Sequence, residues 1–212
     1  DTIFKNPKAK NRISLVAYAT TVINSFSSNM SNNHSHLKKT TDFWESRGGT
    51  CICCGLNTAK EKLSDSPASR SKAVIVMSDG LANGRCSNQR GGTSKSDAIK
   101  AACDLYSQVP NLTIYTIGLG GGIDVSAMKA IAACGNGEYF SAAQVDDLVN
   151  IYQSLADKII TTSTPVNPLN YLKIIFYDSE GSETIINIDV PGPLETKNYY
   201  FDLNGKGLSD QV

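Results

Sequence analysis

No run of 18 apolar residues occurs in the 212-residue chain, so nothing in it reads as a membrane-spanning helix. No signal peptide is visible. The chain opens at Asp1-Thr2-Ile3-Phe4 and closes at Ser209-Asp210-Gln211-Val212, which reads as a piece cut at both ends. Neither sign of charge is in excess: 20 Lys and Arg balance 20 Asp and Glu, which argues against nucleic acid or an anionic membrane as partner. Histidine is scarce. His34 and His36 are the only two, in a polar surface stretch, and read as solvated side chains. Enzyme signatures are lacking as well. Gly118-Leu119-Gly120-Gly121-Gly122 has neither G-x-G-x-x-G spacing nor the lysine of a phosphate-binding loop, and reads as turn glycine. No Ser stands with a His and an Asp in a recognisable hydrolase motif. An enzyme of the doubly wound class is therefore disfavoured.

Cysteine is not scarce. Six of them, with sequons at Asn29, Asn33 and Asn111 and with loops rich in Ser, Thr and Asn, favour an extracellular or cell-surface protein. The most informative stretch is Ala73-Val74-Ile75-Val76-Met77-Ser78-Asp79-Gly80. An apolar run bounded by a turn signal predicts a strand buried on both faces. Ligands of open parallel sheets bind outside the carboxyl ends of the strands, where Asp79 falls. A turn-forming Asp-Gly that only ends the strand is the plainer account of the same residues.

The rest of the chain alternates. Ile13 to Ala19 predicts a strand, Val22 to Ser27 a short edge strand beside it, and His36 to Glu45 an amphipathic helix with Leu37, Phe43 and Trp44 as its apolar side. Gly48-Gly49 breaks the pattern, and a helix follows from Ile52 to Leu63. Ser96 is placed as the cap of a helix over 97–109 with Ile99, Ala102, Cys103 and Tyr106 inward. A strand at Leu112–Leu119, a helix at Val125–Cys134 capped by Asp124, a short strand at Glu138–Phe140 and a helix at Val145–Ile160 complete the series. Leu148, Ile151, Tyr152 and Leu155 form the stripe of that last helix. Strands alternating with helices define an α/β fold: an open, mainly parallel sheet with helices on both faces. Residues 161–168 read as a linker by composition. Residues 169–212 read as an incomplete antiparallel β module, with strands at 171–177, 184–190 and 197–203 and no helix between them.

Three blocks, Arg12-Ile13-Ser14-Leu15-Val16-Ala17-Tyr18, Gly48-Gly49-Thr50 before a helix carrying Gly55-Leu56, and the strand ending Ser78-Asp79-Gly80 followed by Ile114-Tyr115-Thr116-Ile117-Gly118, occur in an order that resembles the von Willebrand factor type A domain over residues 1–160. The likeness is to the microbial or archaeal surface-protein type. The resemblance implies a divalent cation, Mg²⁺ or else Mn²⁺ or Ca²⁺, at the carboxyl edge of the sheet. It maps a loop threonine ligand onto Thr50 and a later aspartate ligand onto Asp79. The family's first strand, Asp-x-Ser-x-Ser, has no counterpart before residue 11, so the resemblance implies a domain truncated at its amino end and only half a metal site. Tyr177-Asp178-Ser179-Glu180-Gly181-Ser182 imitates the motif with Glu180 where a Ser is wanted; it reads as a hairpin turn rather than as a circular permutation. The implied function is adhesion or ligand binding, without catalysis, toward a protein or glycan bearing an acidic group. The alternative is a metal-independent structural or assembly module.

The cysteines fall into two groups. Cys103 and Cys134 lie on consecutive helices and either bridge or remain small buried thiols. Cys51, Cys53 and Cys54 crowd the start of a helix at the same sheet edge as Cys86, and Cys86 is expected to pair with one of the three; which one is not readable from sequence. A redox role for Cys51-Ile52-Cys53-Cys54 lacks a thioredoxin-like context, and a four-thiolate zinc site lacks paired C-x-x-C spacing.

Overall fold

The computed structural model describes residues 11–45, 48–86 and 92–163, together with the backbone of four strands beyond them. The chain divides into two compact units, Asp1–Ser163 and Thr164–Val212. In chain order the first unit contains α1 (His34–Thr41), α2 (Ile52–Leu63), β1 (Lys72–Ser78), α3 (Ser94–Gln108), β2 (Leu112–Leu119), α4 (Val125–Cys134), β3 (Tyr139–Ala142) and α5 (Asp147–Ser163). The second contains β4 (Tyr171–Tyr177), β5 (Glu183–Asp189), β6 (Tyr200–Phe201) and β7 (Leu208–Ser209).

β2 is the centre of a three-stranded parallel sheet ordered β1-β2-β3. Lys72 is opposite Leu112 and Ser78 opposite Gly118, while Thr116 to Leu119 pair with Tyr139 to Ala142. Successive residues of a strand point to opposite faces, and β2 uses both. Leu112 and Ile114 join Ile52, Leu56, Leu105, Met128 and Ile131 on the face covered by α2, α3 and α4. Tyr115 and Ile117 join Ala142 and Leu155 on the face covered by α5. This two-sided burial makes LTIYTIGL apolar almost throughout, and each fully buried aliphatic side chain contributes about 1.5–3 kcal/mol. Of its two threonines Thr116 is the fully buried one, and its hydroxyl donates to the Met128 carbonyl of α4 at 3.0 Å.

Glycine is required where α4 turns into β3, because the chain there runs against the backbone of β2. A β-carbon on Gly135 would stand 2.7 Å from Ile114 N, and one on Gly137 2.1 Å from Ile114 O. Asn136 between them takes φ 53°, a left-handed conformation that asparagine tolerates.

Several local expectations need correction. Residues 13–19 form no regular strand. They join the return segment through isolated antiparallel bridges, Ile13 to Ser31 and Tyr18 to Val22, and a short 3₁₀ turn at Asn24–Phe26 replaces the edge strand. β1 is only partly buried, because among the described residues β2 is its one strand partner. α1 starts earlier than expected, with Asn33 as cap accepting from His36 N, and ends before Phe43 and Trp44. His34 and His36 therefore lie in its first turn and not in a loop, and both stay exposed. Phe43 is 68% exposed, and Trp44 Nε1 donates to the Phe26 carbonyl. In α3 the cap is Thr93, and Ser96 is the third helical residue of a capping box. The buried stripe is Asp97, Ala98, Ala101, Ala102 and Leu105. Cys103 and Tyr106 point outward, so the expected stripe was rotated by about one position. α5 extends to Ser163, into the stretch read as linker, and residues 164–168 lie outside the described ones. In the second unit β4 pairs antiparallel with β5 from Tyr171–Asp189 to Tyr177–Glu183, and β6 with β7. The Asp178–Ser182 turn lies outside the described residues.

Candidate functional site at the carboxyl end of β1

Thr50 and Asp79 come from different elements and reach the same rim. β1 ends at Ser78, and Asp79-Gly80 leave the sheet there. Thr50 immediately precedes Cys51, the cap residue of α2. The two loops are joined through Asn83. Its Oδ1 accepts from Thr50 N at 2.7 Å, and its own N–H and that of Gly84 donate to Thr50 O, both at 3.1 Å. A β-carbon on Gly80 would stand 3.5 Å from Thr50 Oγ1, so the threonine hydroxyl lies against the start of the Asp79 loop. Asp79 is exposed, and among the described residues its carboxylate makes no hydrogen bond or ion pair. Gly122, in the loop after β2, borders the Asp79 carbonyl.

A second wall comes from residues 18–20 and 48–51. Cys51 N donates to Ala19 O at 2.6 Å, and Gly49 N donates to Thr20 Oγ1 at 2.8 Å. Gly48 holds φ 59°, which a glycine adopts without strain. Tyr18 lays its ring over Gly55 of α2, where a β-carbon would meet the ring at 2.8 Å. Its hydroxyl donates to the Met77 carbonyl at 2.6 Å, on a strand whose second edge carries no strand partner among the described residues. Burial pushes the Tyr18 phenol well above its ordinary value, and the nearby Asp79 carboxylate adds to the shift. The tyrosine thus remains a neutral donor.

Below the rim the loop is locked. Disulfides join Cys53 to Cys86 and Cys51 to Cys54, and a third joins Cys103 to Cys134. Asp97, wholly buried, accepts from Arg85 Nε at 2.9 Å and from Cys86 N at 3.3 Å, and this bonding raises the Arg85 pKa further. The carboxylate therefore holds the loop after β1 onto the first turn of α3, where the helix dipole favours negative charge. Asn83, Tyr18, Arg85 and Asp97 were not singled out as site residues from sequence. The Asn83-Gly84 dipeptide was the one local signal available, as a turn former.

The sequon asparagines lie elsewhere, each in its own local bond. Asn29 Oδ1 accepts from Lys62 Nζ at 3.0 Å. Asn33 caps α1. Asn111 holds φ 55° and its Nδ2 donates to Ala68 O at 2.8 Å, so a glycan on that nitrogen would displace a bond of the loop.

The arrangement defines the class: an open α/β sheet with oxygen-bearing side chains at its carboxyl edge, the edge at which ligands of open parallel sheets bind. The sequence matches the model of the von Willebrand factor type A domain over residues 3–154, and the chain belongs to that family. Among solved structures it is similar to a von Willebrand factor type A protein from Catenulispora acidiphila, with TM-score 0.56, 15% identity, 70% of this chain covered and 34% of that one. It is similar also to the conserved hypothetical protein BatB from Bacteroides thetaiotaomicron, with TM-score 0.55, 12% identity, 76% of this chain covered and 85% of that one. A third likeness is proximal thread matrix protein 1 from the mussel byssus, with a zinc occupied MIDAS motif, at TM-score 0.53, 19% identity, 71% of this chain covered and 35% of that one. No curated protein sequence matches significantly. Membership supports a ligand-binding or adhesion-type module, of a kind that typically binds protein. No described helix is long and apolar enough to cross a membrane.

Hard divalent cations take oxygen ligands, and Mg²⁺ takes about six while keeping several waters. Thr50 Oγ1 and the Asp79 carboxylate are donors of that chemistry at one rim, but they are two. The described residues offer part of a coordination shell.

Proposed function

We propose that this domain is a non-enzymatic adhesion module, extracellular or at a cell surface, which binds an acidic group of a protein or glycan through a divalent cation. Thr50 and Asp79 would hold the cation together with water and the Asp-x-Ser-x-Ser strand of the family site. Such a cation, held by few protein charges, stays electrophilic toward a carboxylate on the partner. The observation that carries this reading is that Asp79, exposed and without a hydrogen bond or ion pair among the described residues, stands at the end of β1 in the loop whose Gly80 lies against Thr50 Oγ1. Three disulfides suit an oxidising compartment.

The test is Mn²⁺ binding followed by calorimetry and electron spin resonance on a protein extended to carry an Asp-x-Ser-x-Ser strand. Saturable binding that Mg²⁺ displaces, and that Asp79→Asn and Thr50→Ala each weaken, is the expected outcome. Absence of Mn²⁺ binding in the extended protein refutes the cation reading. The residues of Asp1–Val212 alone are expected to bind weakly or not at all. A second reading, assembly without metal, draws on the outer edges of β1 and β3, which carry no strand partner among the described residues. Partner binding indifferent to a chelator would favour it.

A further inference from the structure

Four sulfurs meet beneath the rim: Cys51, Cys53, Cys54 and Cys86 all bring Sγ within 4.8 Å of one another. The contacts outside the two disulfides are 3.7 Å for Cys51–Cys53, 4.0 Å for Cys51–Cys86 and 3.8 Å for Cys54–Cys86. A tetrahedral Zn²⁺ with Zn–S bonds of about 2.3 Å needs sulfurs about 3.8 Å apart along every edge. Three of the six edges of that tetrahedron are therefore already present, the Cys53–Cys54 edge lies within 4.8 Å, and the two bonded pairs would have to open. From this geometry we infer that the cluster has two mutually exclusive chemical states, a pair of disulfides and a four-thiolate site for a soft divalent metal such as Zn²⁺.

The surroundings suit the second state. Cys51 is the cap residue of α2, and no side-chain oxygen caps the helix there. Thiolates at a helix start are stabilised by the free N–H groups and the helix dipole, which favours the net double negative charge of a Zn(S⁻)₄ group. Asn57 Nδ2 lies 3.7 Å from Cys86 Sγ and is placed to donate to that sulfur, the kind of outer-shell bond that orients metal ligands. Cys51, Cys53 and Cys86 are buried, while Cys54 is partly exposed and open to an attacking thiol. The sequence places these four cysteines at one sheet edge but lacks paired C-x-x-C spacing, because three ligands are local to one helix start and the fourth arrives on a loop 32 residues after Cys54.

The interconversion balances. Two molecules of a dithiol reduce the two disulfides and become two cyclic disulfides, passing four electrons and four protons to the four sulfurs. Zn²⁺ then displaces the four thiol protons to solvent. The inference is separate from the oxygen rim, since the ligands are sulfur and the ion is soft.

The experiment reduces the full chain anaerobically, removes the reductant and titrates with Co²⁺ alone as a spectroscopic probe. Saturation at one Co²⁺ per chain is expected, with the intense thiolate-to-cobalt absorption of a tetrahedral sulfur site, bleached by one equivalent of Zn²⁺. The oxygen rim cannot produce that band. Cys86→Ser should weaken binding by roughly tenfold or more, and the paired change Cys103→Ser with Cys134→Ser should leave it intact. Failure to develop the band, a band unaffected by Cys86→Ser, or a reduced chain that does not refold with metal would each overturn the inference and leave the cluster a permanent pair of disulfides.

Discussion

Single side chains in this domain do most of their work by satisfying backbone groups at element ends. Lys72, buried at the start of β1, donates to the carbonyls of Pro67, Arg70 and Pro110 at 2.9, 3.0 and 3.1 Å. Burial lowers its pKa, yet three carbonyls around one ammonium keep it useful where an apolar side chain would leave them bare. Asp124 acts similarly at α4. Its Oδ1 accepts from Ser126 Oγ at 2.6 Å and Ala127 N at 2.9 Å, and Oδ2 lies 3.0 Å from Lys95 Nζ. The Ser126 hydroxyl, the Ala127 N–H and Lys95 together pull its pKa down from 3.8 to about 2. A carboxylate with a depressed folded pKa contributes stability above its unfolded pKa and loses it as pH falls through the folded one. Asp124→Ala should therefore cost about 1 kcal/mol near neutral pH, and the deficit should shrink between pH 3.8 and 2. Urea unfolding of the two proteins at pH 6.5 and at low pH checks this; an unchanged difference would mean the cap acts without its charge. Asp97→Asn should lower the unfolding free energy measured by urea at neutral pH by about 1–3 kcal/mol, because the buried partner of Arg85 and Cys86 N loses its charge.

At the scale of elements, close approach decides what the sequence pattern leaves open. The turn from α4 into β3 packs backbone on backbone, with Ile114 N donating to Gly135 O at 3.1 Å. Gly137→Ala places a β-carbon onto a carbonyl that cannot yield without shifting β2, and it should destabilise by about 3 kcal/mol or lower the folded yield. Gly121→Ala, in the exposed loop after β2 with open space around it, should change stability little. A thermal melt of both variants separates steric need from a general dislike of losing glycine. The Cys53–Cys86 bridge closes a loop of 33 residues, worth about 3–4 kcal/mol on the chain-entropy account. It also fixes the loop after β1 to the start of α2, so the distance between Thr50 and the Asp79 loop is set by covalent bonds as well as by Asn83.

For the molecule as a whole, the apolar periodicity in the sequence was enough to place α2, β1, β2 and α4 nearly residue for residue. Each of these is bounded by a glycine, a proline or a capping aspartate, and each buries a face that its own pattern announces. Periodicity failed where burial is partial. Residues 13–19 look like a strand, but extended backbone becomes a strand only when a neighbour supplies a ladder, and the neighbours found there are two bridges. The stripe of α3 differs from its apolar pattern because a buried aspartate, Asp97, occupies a position that pattern alone assigns to solvent. Asp79 is legible as a carboxylate at a strand end, and Thr50 enters only through the family resemblance; the structure brings their two loops to one rim. Asn83, which ties their loops, was not, since an asparagine side chain declares no partner 33 residues away.

The sequence by itself determined the alternation of strand and helix, the family, and the oxygen-bearing residues at the strand end, because these follow from local order along the chain. Tertiary structure alone decided that four sulfurs share one small volume, that Cys53 and not its neighbours bonds Cys86, and that Asp97 is buried. Such facts depend on distances between segments far apart in sequence, and those distances are fixed only when both faces of β2 are packed.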